Sequence, residues 1–477
     1  MSSSFSKLER RSVAALSSIY ALRMFGLFLI LPVLSIYADV MENSTPLLVG
    51  MALGAYGFAQ ALLQIPFGML SDRLGRKQVI TLGLLIFIIG SLVAAASNDI
   101  IWIIIGRAIQ GAGAIAAAVL ALTADLTREN QRSKAMAFIG MSIGLSFMLA
   151  LLLSTTLAVK LGFNGLFVLT AILAVLAIGV LWLWVPTPMQ RPSRDTQAVP
   201  ADVLHLVQDS QLFRLNIGVF VLHFVLTAMF VVVPLLLSKE LKFATENHWQ
   251  VYLPVLIASV FAMIPLIMVS ASKNMAMRVF TVAICLLLVS QALFITKPIS
   301  NTVSLAFVLF FFFWGFNTLE AMLPSLVTRL APPATKGTAV GIYNTFQFAG
   351  VFLGGLLGGL FLGRYGYQAV FVLCGGLLVL WVIVVLTAPV TRLYDSQLVS
   401  LSALFSQCEK YKPVEAESHS SNSASFAEQI YHALSDLQGV EAVTVIEEEQ
   451  VAYLKIDKES FDFSQLTEIE NGRLFNR

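Results

Sequence analysis

The chain has 477 residues, of which 57% are hydrophobic and only 12% are charged. A soluble domain uses about a quarter of charged residues to cover its surface, so this composition excludes a purely soluble protein and indicates lipid surroundings. Charge is also unevenly divided. Residues 1–391 hold 23 Lys and Arg against 13 Asp and Glu, whereas residues 392–477 hold 7 against 15. We therefore expect a basic membrane part followed by an acidic soluble part.

Long apolar stretches follow one another through the first 388 residues. A helix needs ~20 residues to cross ~30 Å of hydrocarbon, and it satisfies its own backbone hydrogen bonds there. Twelve stretches approach or exceed that length: 13–37, 47–70, 79–96, 100–124, 135–158, 163–185, 215–238, 249–270, 277–296, 302–328, 337–362 and 367–388. The sequence predicts an all-α membrane protein with twelve transmembrane helices.

A polar segment, residues 186–213, divides these helices six plus six. We predict an N-terminal six-helix bundle at 1–185, a linker at 186–213 and a C-terminal six-helix bundle at 214–391. Sixteen Lys and Arg residues fall in the N-terminal segment and every second loop, against five in the opposite loops. Because cytoplasmic loops carry an excess of these residues, we expect both termini in the cytoplasm.

The last segment, residues 392–477, predicts a small soluble cytoplasmic α+β domain. Residues 426–437 place apolar side chains on one helical face, and residues 440–446 and 451–456 read as two strands around an acidic turn. An earlier strand at 398–404 and a second helix at 463–469 would complete a βαββα order. The acidic surface of this domain either docks on the basic inner loops of the same chain or is simply solvated.

The loop between the second and third helices carries the most specific motif in the chain. It contains Gly68, Asp72, Arg73, Gly75, Arg76 and Lys77 in the pattern G-x3-D-R-x-G-R-K. A basic loop alone would explain the three cations but not the glycines and aspartate at these spacings. The pattern resembles that of the major facilitator superfamily. The resemblance implies a conformational latch in which Arg76 reaches an acid such as Asp125, and whose contacts exist only when the two halves are closed on that side.

The fourth helix contains a second family-like motif. Arg107, Gln110 and Gly111 resemble the R-x-x-Q-G motif that the superfamily associates with proton-coupled members. A charge inside a membrane helix is costly enough to need a partner or water, so we expect Arg107 to face the interior. A snorkelling or purely structural ion-pair role for Arg107 is the alternative.

In the fold that the resemblance implies, the first, fourth, seventh and tenth helices line a central cavity. Those helices carry Arg23, Arg107, Gln110, His223, Asn317 and Glu320. Glu320 is the only carboxylate well inside a predicted helix, and Asn317 shares its face at i, i+3 spacing. We predict proton exchange at Glu320 and His223. The alternatives are a Glu320 permanently paired with an arginine and a His223 satisfied within the core.

Two further patterns concern packing. Gly350, Gly354 and Gly358 recur every four residues in the eleventh helix, which predicts a close-packing seam suited to the second helix. The aromatic run 310–314 either forms a wall for apolar ligands or, as we favour, points most of its rings at lipid or neighbouring helices.

The six-plus-six layout, the loop motif and the trailing βαββ-like segment together resemble the YajR-type transporters, a drug/proton antiporter group of the major facilitator superfamily with a ferredoxin-like C-terminal domain. The resemblance implies a bacterial inner-membrane transporter that drives out an amphipathic small molecule by admitting protons. Antiporters of this kind carry a glycine-proline motif late in the fifth helix, where residues 153–157 read Leu-Ser-Thr-Thr-Leu. The resemblance therefore supports transport more directly than antiport.

Several other classes of function lack their motifs. The chain has no G-x4-G-K-[ST] loop for ATP and no HExxH motif of a metal-dependent enzyme. Cys285, Cys374 and Cys408 form no CxxC pair, so we predict no thiolate metal site and no cofactor. The expected partners are membrane lipid, an amphipathic small molecule and protons, without nucleic acid. A receptor-like sensor that signals through the C-terminal domain is the alternative function.

Overall fold

A computed structural model describes residues 5–187, 200–270, 275–296, 299–332, 335–387, 395–402, 426–446, 450–456, 460–462 and 464. Residues 1–327 and 337–388 form one compact unit. Residues 328–336 and 389–477 form a second unit, which is described separately below.

The N-terminal half is built from seven helices: α1 (Lys7–Leu29), α2 (Leu31–Tyr37), α3 (Pro46–Leu74), α4 (Arg76–Ala95), α5 (Ile100–Ala112), α6 (Ala116–Asp125) and α7 (Glu129–Trp184). The first predicted span is interrupted at Ile30, just before Pro32, which has no backbone N–H to donate. The fourth is interrupted at Gly113. Two single spans of the prediction are therefore pairs of helices.

The helix α7 is long enough to cross a membrane twice. It contains 56 residues and turns at Gly162, whose φ of 75° and ψ of 165° are not helical. Glycine adopts this conformation readily because it has no Cβ. The turn separates the predicted fifth and sixth spans, 135–158 and 163–185.

The C-terminal half contains α8 (Pro200–Gln208), α9 (Ser210–Leu235), α10 (Trp249–Ser270), α11 (Ala276–Thr296), α12 (Thr302–Leu330), α13 (Lys336–Tyr365) and α14 (Tyr367–Leu386). The described part of the segment predicted as a linker thus includes α8 and the first turn of α9. Asp209 caps α9, because its side chain accepts hydrogen bonds from the backbone N–H groups of Gln211 and Leu212.

Eleven described helical segments are long and apolar enough to cross a membrane, and one of them, Lys134–Trp184, includes the turn at Gly162. Counting that segment as two crossings gives twelve, which confirms the predicted all-α architecture. The outer end of the helices carries residues 38–45 and 236–248, and the inner end carries Gly75 and residues 126–128. The charge bias predicts the cytoplasm at the inner end.

The two halves pack most tightly where α3 and α13 cross near the outer end. A Cβ atom built on Gly50 would lie 2.1 Å from the carbonyl oxygen of Gly355, and one on Gly359 would lie 2.3 Å from that of Pro46. Towards the inner end, a Cβ on Gly341 would lie 3.9 Å from the side chain of Ile65. The backbones of these helices therefore touch near the outer end and leave more room farther in.

The predicted glycine seam faces a different helix from the one expected. A Cβ on Gly350 would lie 2.2 Å from the carbonyl oxygen of Phe220, and one on Gly354 would lie 2.2 Å from that of Phe224. Both partners belong to α9, so the prediction that this seam suits the second helix is wrong. Gly355 and Gly359 face α3 instead, because each residue along a helix is rotated by about 100° from the one before.

The second unit contains a three-stranded antiparallel sheet and a helix. The strands β1 (Asp395–Ser400), β2 (Val440–Ile446) and β3 (Val451–Ile456) lie in the order β1-β3-β2, and α15 spans Phe426–Ser435. Ile430 and Leu434 of α15 and Leu454 of β3 belong to one buried apolar cluster. The two strands predicted at 440–446 and 451–456 are confirmed. The predicted second helix lies almost wholly outside the described residues, and the ferredoxin-like topology stays a prediction.

Candidate functional site

The inner loop between α3 and α4 holds a buried arginine against two carboxylates. Gly75 joins the two helices with a φ of +101°, a conformation that favours glycine. The turn places Arg76 beside Asp72, with which it forms an ion pair. Its Nε donates to Oδ2 of Asp125 on α6 at 3.1 Å, and its Nη1 donates to the hydroxyl of Ser71 at 2.7 Å. Arg76 is only 5% exposed and is held between α3 and α6.

The other residues of the loop motif have different surroundings. The buried Lys77 donates to the carbonyl oxygen of Val185 at 2.9 Å, and its Nζ lies 4.7 Å from the centre of the Trp182 ring. It therefore ties α4 to the end of α7. Arg73 is exposed. A Cβ on Gly68 would lie 3.4 Å from the methyl group of Ala117, which is an ordinary van der Waals contact.

The ion pairs of Asp72, Arg76 and Asp125 lie within one half of the molecule. Their helices, α3, α4 and α6, all belong to the N-terminal half. The closest packing between the halves lies near the opposite end of α3, which has 29 residues and is about 43 Å long. Both pairs join residues of the N-terminal half, and the expectation that they exist only when the two halves are closed at the inner end stays a prediction.

Two further arginines are enclosed inside the N-terminal half. Arg107 on α5 is 1% exposed; its Nη1 donates to the side-chain oxygen of Gln110 at 3.1 Å and its Nε to the carbonyl oxygen of Ala52 at 3.3 Å. Arg23 on α1 is equally buried and donates to Gln60 at 3.0 Å. Neither forms an ion pair with a carboxylate among the described residues. Arg107 therefore faces the interior, held by amide and carbonyl oxygens.

The ring of Tyr56 on α3 connects these two arginines. The guanidinium carbons of Arg23 and Arg107 lie 5.8 and 5.3 Å from the centre of that ring. A cation near an aromatic face is attracted by the electron density of the ring, and the attraction is stronger away from water. The aromatic ring thus takes part of the role that a carboxylate would otherwise play.

A second polar cluster lies in the C-terminal half. The Nε2 atom of His223 on α9 lies 3.7 Å from Oε2 of Glu320 on α12 and 2.8 Å from Nε2 of Gln347 on α13. The side chain of Glu320 is 37% exposed. Asn317 donates instead to the hydroxyl of Ser259 on α10 at 3.0 Å. The structure therefore brings together His223 and Glu320, and turns Asn317 towards another helix.

Five of the six residues predicted to line one central cavity thus lie in two separate clusters. Arg23, Arg107 and Gln110 share the interior of the N-terminal half, whereas His223 and Glu320 share a site in the C-terminal half. No hydrogen bond or ion pair among the described residues joins the two clusters. Each cluster has to be assigned its own role.

The sequence did not reveal two ion pairs. Glu9 accepts hydrogen bonds from the backbone N–H and the Nε of Arg128, both at 2.9 Å, and its side-chain hydrogen bonds raise the pKa of the Arg128 guanidinium. At the outer end, Lys239 and Asp39 form an exposed ion pair of 2.7 Å across the two halves. The pair lines a cavity of about 330 Å³, which we call the outer cavity. The contact between Gln347 and His223 was not predicted from the sequence either.

The twelve crossings in two halves, with buried polar side chains inside each half, define the class of two-bundle membrane transporters. The sequence profile of the Major Facilitator Superfamily matches residues 16–355 and 277–416. The chain is 37% identical over 450 residues to the inner membrane transport protein YajR of Escherichia coli (strain K12), which covers 94% of each chain. It is 26% identical over 369 residues to Multidrug resistance protein 2 of Bacillus subtilis (strain 168), covering 76% of this chain and 90% of that one.

A solved structure of a bacterial homologue of the human lysosomal transporter Spinster has the same fold, with a TM-score of 0.66 at 14% identity over 80% of this chain and 97% of that one. The chain belongs to the major facilitator superfamily. It is accordingly a multi-pass inner-membrane transporter and not an enzyme.

Proposed function

We propose that the chain exports an amphipathic small molecule in exchange for protons, by exposing a site between its two halves alternately to the two sides of the membrane. One observation carries this function. The side chain of Glu320, inside a membrane helix, is 37% exposed and lies 3.7 Å from His223. Its Oε2 atom has no hydrogen-bond partner among the described residues. An acid inside the membrane without a fixed partner is suited to gain and lose a proton.

The surroundings of Glu320 favour such an exchange. In a medium of low dielectric the neutral form of a carboxylic acid is favoured, whereas a protonated histidine nearby favours the carboxylate. No arginine pairs with Glu320 among the described residues, which speaks against the permanent ion pair considered from the sequence. The name of the Bacillus subtilis relative, a multidrug resistance protein, supports export of a drug-like molecule.

Aromatic side chains pack closely between helices of the C-terminal half. Phe230, Tyr252, Phe312 and Phe313 line a narrow cavity between α9, α10 and α12. The two phenylalanines from the run 310–314 are buried there against neighbouring helices and do not face lipid. The cavity has a volume of about 10 Å³, room for about one water molecule, so these rings form packed core and no ligand surface.

The decisive experiment uses purified protein in sealed proteoliposomes with a pH-sensitive dye inside. An imposed gradient of an amphipathic compound should drive proton movement in the wild type. Glu320→Gln should abolish this movement, while Glu246→Gln, the same substitution at an exposed residue of the outer end, should preserve it. Proton movement of wild-type size in Glu320→Gln would remove this residue from the mechanism.

In the proposed function, the loop motif and the acidic C-terminal domain both act on the cytoplasmic side of the membrane. With both termini in the cytoplasm, Asp72, Arg76 and Asp125 act as a latch that stabilises the N-terminal half during the exchange of states, and Gly68, Arg73, Gly75 and Lys77 shape their loop. The acidic domain docks on the basic inner loops. Deleting residues 393–477 should then change transport or thermal stability; a deletion without effect on either would rule out docking.

A further inference from the structure

The ring of His223 has a hydrogen-bonding pattern that fixes where its proton lies. Its Nδ1 atom is 3.2 Å from the carbonyl oxygen of Val219, one turn earlier on α9. A carbonyl oxygen only accepts hydrogen bonds, so Nδ1 carries the hydrogen and donates. In the neutral ring, Nε2 is then an acceptor.

The amide of Gln347 donates a hydrogen bond to the neutral ring of His223. Its Nε2 atom lies 2.8 Å from Nε2 of His223, where an amide N–H donates to the bare ring nitrogen. Oε2 of Glu320 lies 3.7 Å from the same ring nitrogen, too far for a hydrogen bond. The amide of Gln347 and the carboxylate of Glu320 thus both face Nε2 of His223. The neutral ring accepts its hydrogen bond from Gln347.

We propose that Gln347 is a positioning residue for proton exchange. Its hydrogen bond holds the neutral ring of His223 away from Glu320. When Nε2 of His223 gains a proton, the ring loses its hydrogen bond to Gln347 and forms one with Glu320. This role rests on the proton-coupled function proposed above. Once Nε2 bears a hydrogen, two donors would face each other, so the amide N–H has to turn away. The carboxylate of Glu320 then accepts the new N–H. When Glu320 takes that proton, the ring returns to its neutral form and Gln347 donates again.

Other titratable groups around the pair are few among the described residues. Tyr343 lies one turn before Gln347 on α13, and its buried hydroxyl has no hydrogen-bond partner among those residues. Arg214 lies nine residues before His223 on α9, and Lys239 lies sixteen residues after it in the helical turn that follows α9, about 13 and 24 Å away at the rise of a helix. The described residues of α2, α3 and α14, which pack against α9, form no ion pair with His223. Glu320 is therefore the group that accepts a hydrogen bond from the protonated ring of His223.

The hydrogen bond itself is tested without transport. Nitrogen-15 spectra of histidine-labelled protein in nanodiscs, with His223 assigned by its loss in His223→Asn, should show a neutral ring protonated at Nδ1. Gln347→Met, which keeps the side-chain length and removes the donor, should shift the Nε2 resonance. Gln291→Met, at a buried amide on α11 that contacts Met229, should leave it unchanged. A neutral ring protonated at Nε2, or a resonance unmoved by Gln347→Met, would overturn the inference.

The positioning role is tested by the pH profile of transport. Without the donor of Gln347 the charged ring forms more readily, so half-maximal transport in Gln347→Met should occur at a proton concentration about three- to tenfold lower than in the wild type. Gln347→Glu, which replaces the donor by an acceptor, should move the profile farther in the same direction. An unshifted profile in both variants refutes the role. If the spectra behave as expected but no variant moves protons, the proposed function fails and the positioning role fails with it, while the hydrogen bond stands.

Discussion

The contact between α3 and α13 predicts that one added methyl group opens the outer end. In Gly355→Ala the new Cβ would lie 2.4 Å from the carbonyl oxygen of Gly50 and 3.0 Å from the backbone nitrogen of Gly54. Backbone atoms yield little, so the helices have to separate by about 1 Å to reach normal contact distance. Overpacking of this kind costs ~1–3 kcal/mol, which corresponds to a shift in populations on the order of 5- to 150-fold away from the described state.

Labelling of the outer cavity measures that shift. A cysteine replaces Val49, a buried residue that lines the cavity, in a chain where Cys285, Cys374 and Cys408 are serine. A membrane-impermeant maleimide added from outside should react faster with it when Gly355→Ala is also present, by at least about fivefold.

Gly376→Ala on α14 is the matched control, because nothing lies within 4 Å of a Cβ built there. It should leave the labelling rate of the cysteine at position 49 unchanged. Equal rates in the Gly355→Ala and Gly376→Ala proteins would show that the close approach of α3 and α13 does not set the population of the described state.

Two substitutions test the buried carboxylates near the inner end. Glu9→Gln weakens the charged hydrogen bonds to Arg128 and should lower the free energy of unfolding by ~1–3 kcal/mol. Thermal melting in detergent, compared with Glu42→Gln at an exposed residue, measures this loss; equal melting points would contradict it. Asp125→Asn leaves the buried Arg76 short of a charged acceptor and should slow transport on the order of tenfold, from a charged hydrogen bond of ~1.5–3 kcal/mol. An initial rate of uptake equal to that of the wild type would refute the latch.

The hydropathy of the sequence was enough to predict the membrane-crossing segments, because length and apolarity are properties of single segments. It also separated the fifth and sixth spans where α7 turns at Gly162, but it did not reveal the interruptions at Ile30 and Gly113, which change the course of a span without changing its composition. The pairing of Arg76 with Asp125 was within reach of the sequence. A charged residue at the end of one short loop has few acids at the same membrane depth, and Asp125 is one of them.

Contacts that depend on helix rotation were beyond the sequence. Gly354 and Gly355 are neighbours in the chain, yet one packs on α9 and the other on α3. The partner of His223 in its neutral state, Gln347, is 124 residues away in sequence. Spacing within α13 indicates which residues share a face, but not which of the neighbouring helices that face meets.

Of the two polar clusters, only the one in the C-terminal half is suited to the proposed proton exchange. Arg23 and Arg107 are enclosed, and a guanidinium keeps its proton under all ordinary conditions, so neither can carry protons through the protein. Glu320 is accessible and lies 3.7 Å from His223, whose imidazole ring can gain or lose a proton. The proposed exchange therefore belongs to the C-terminal half.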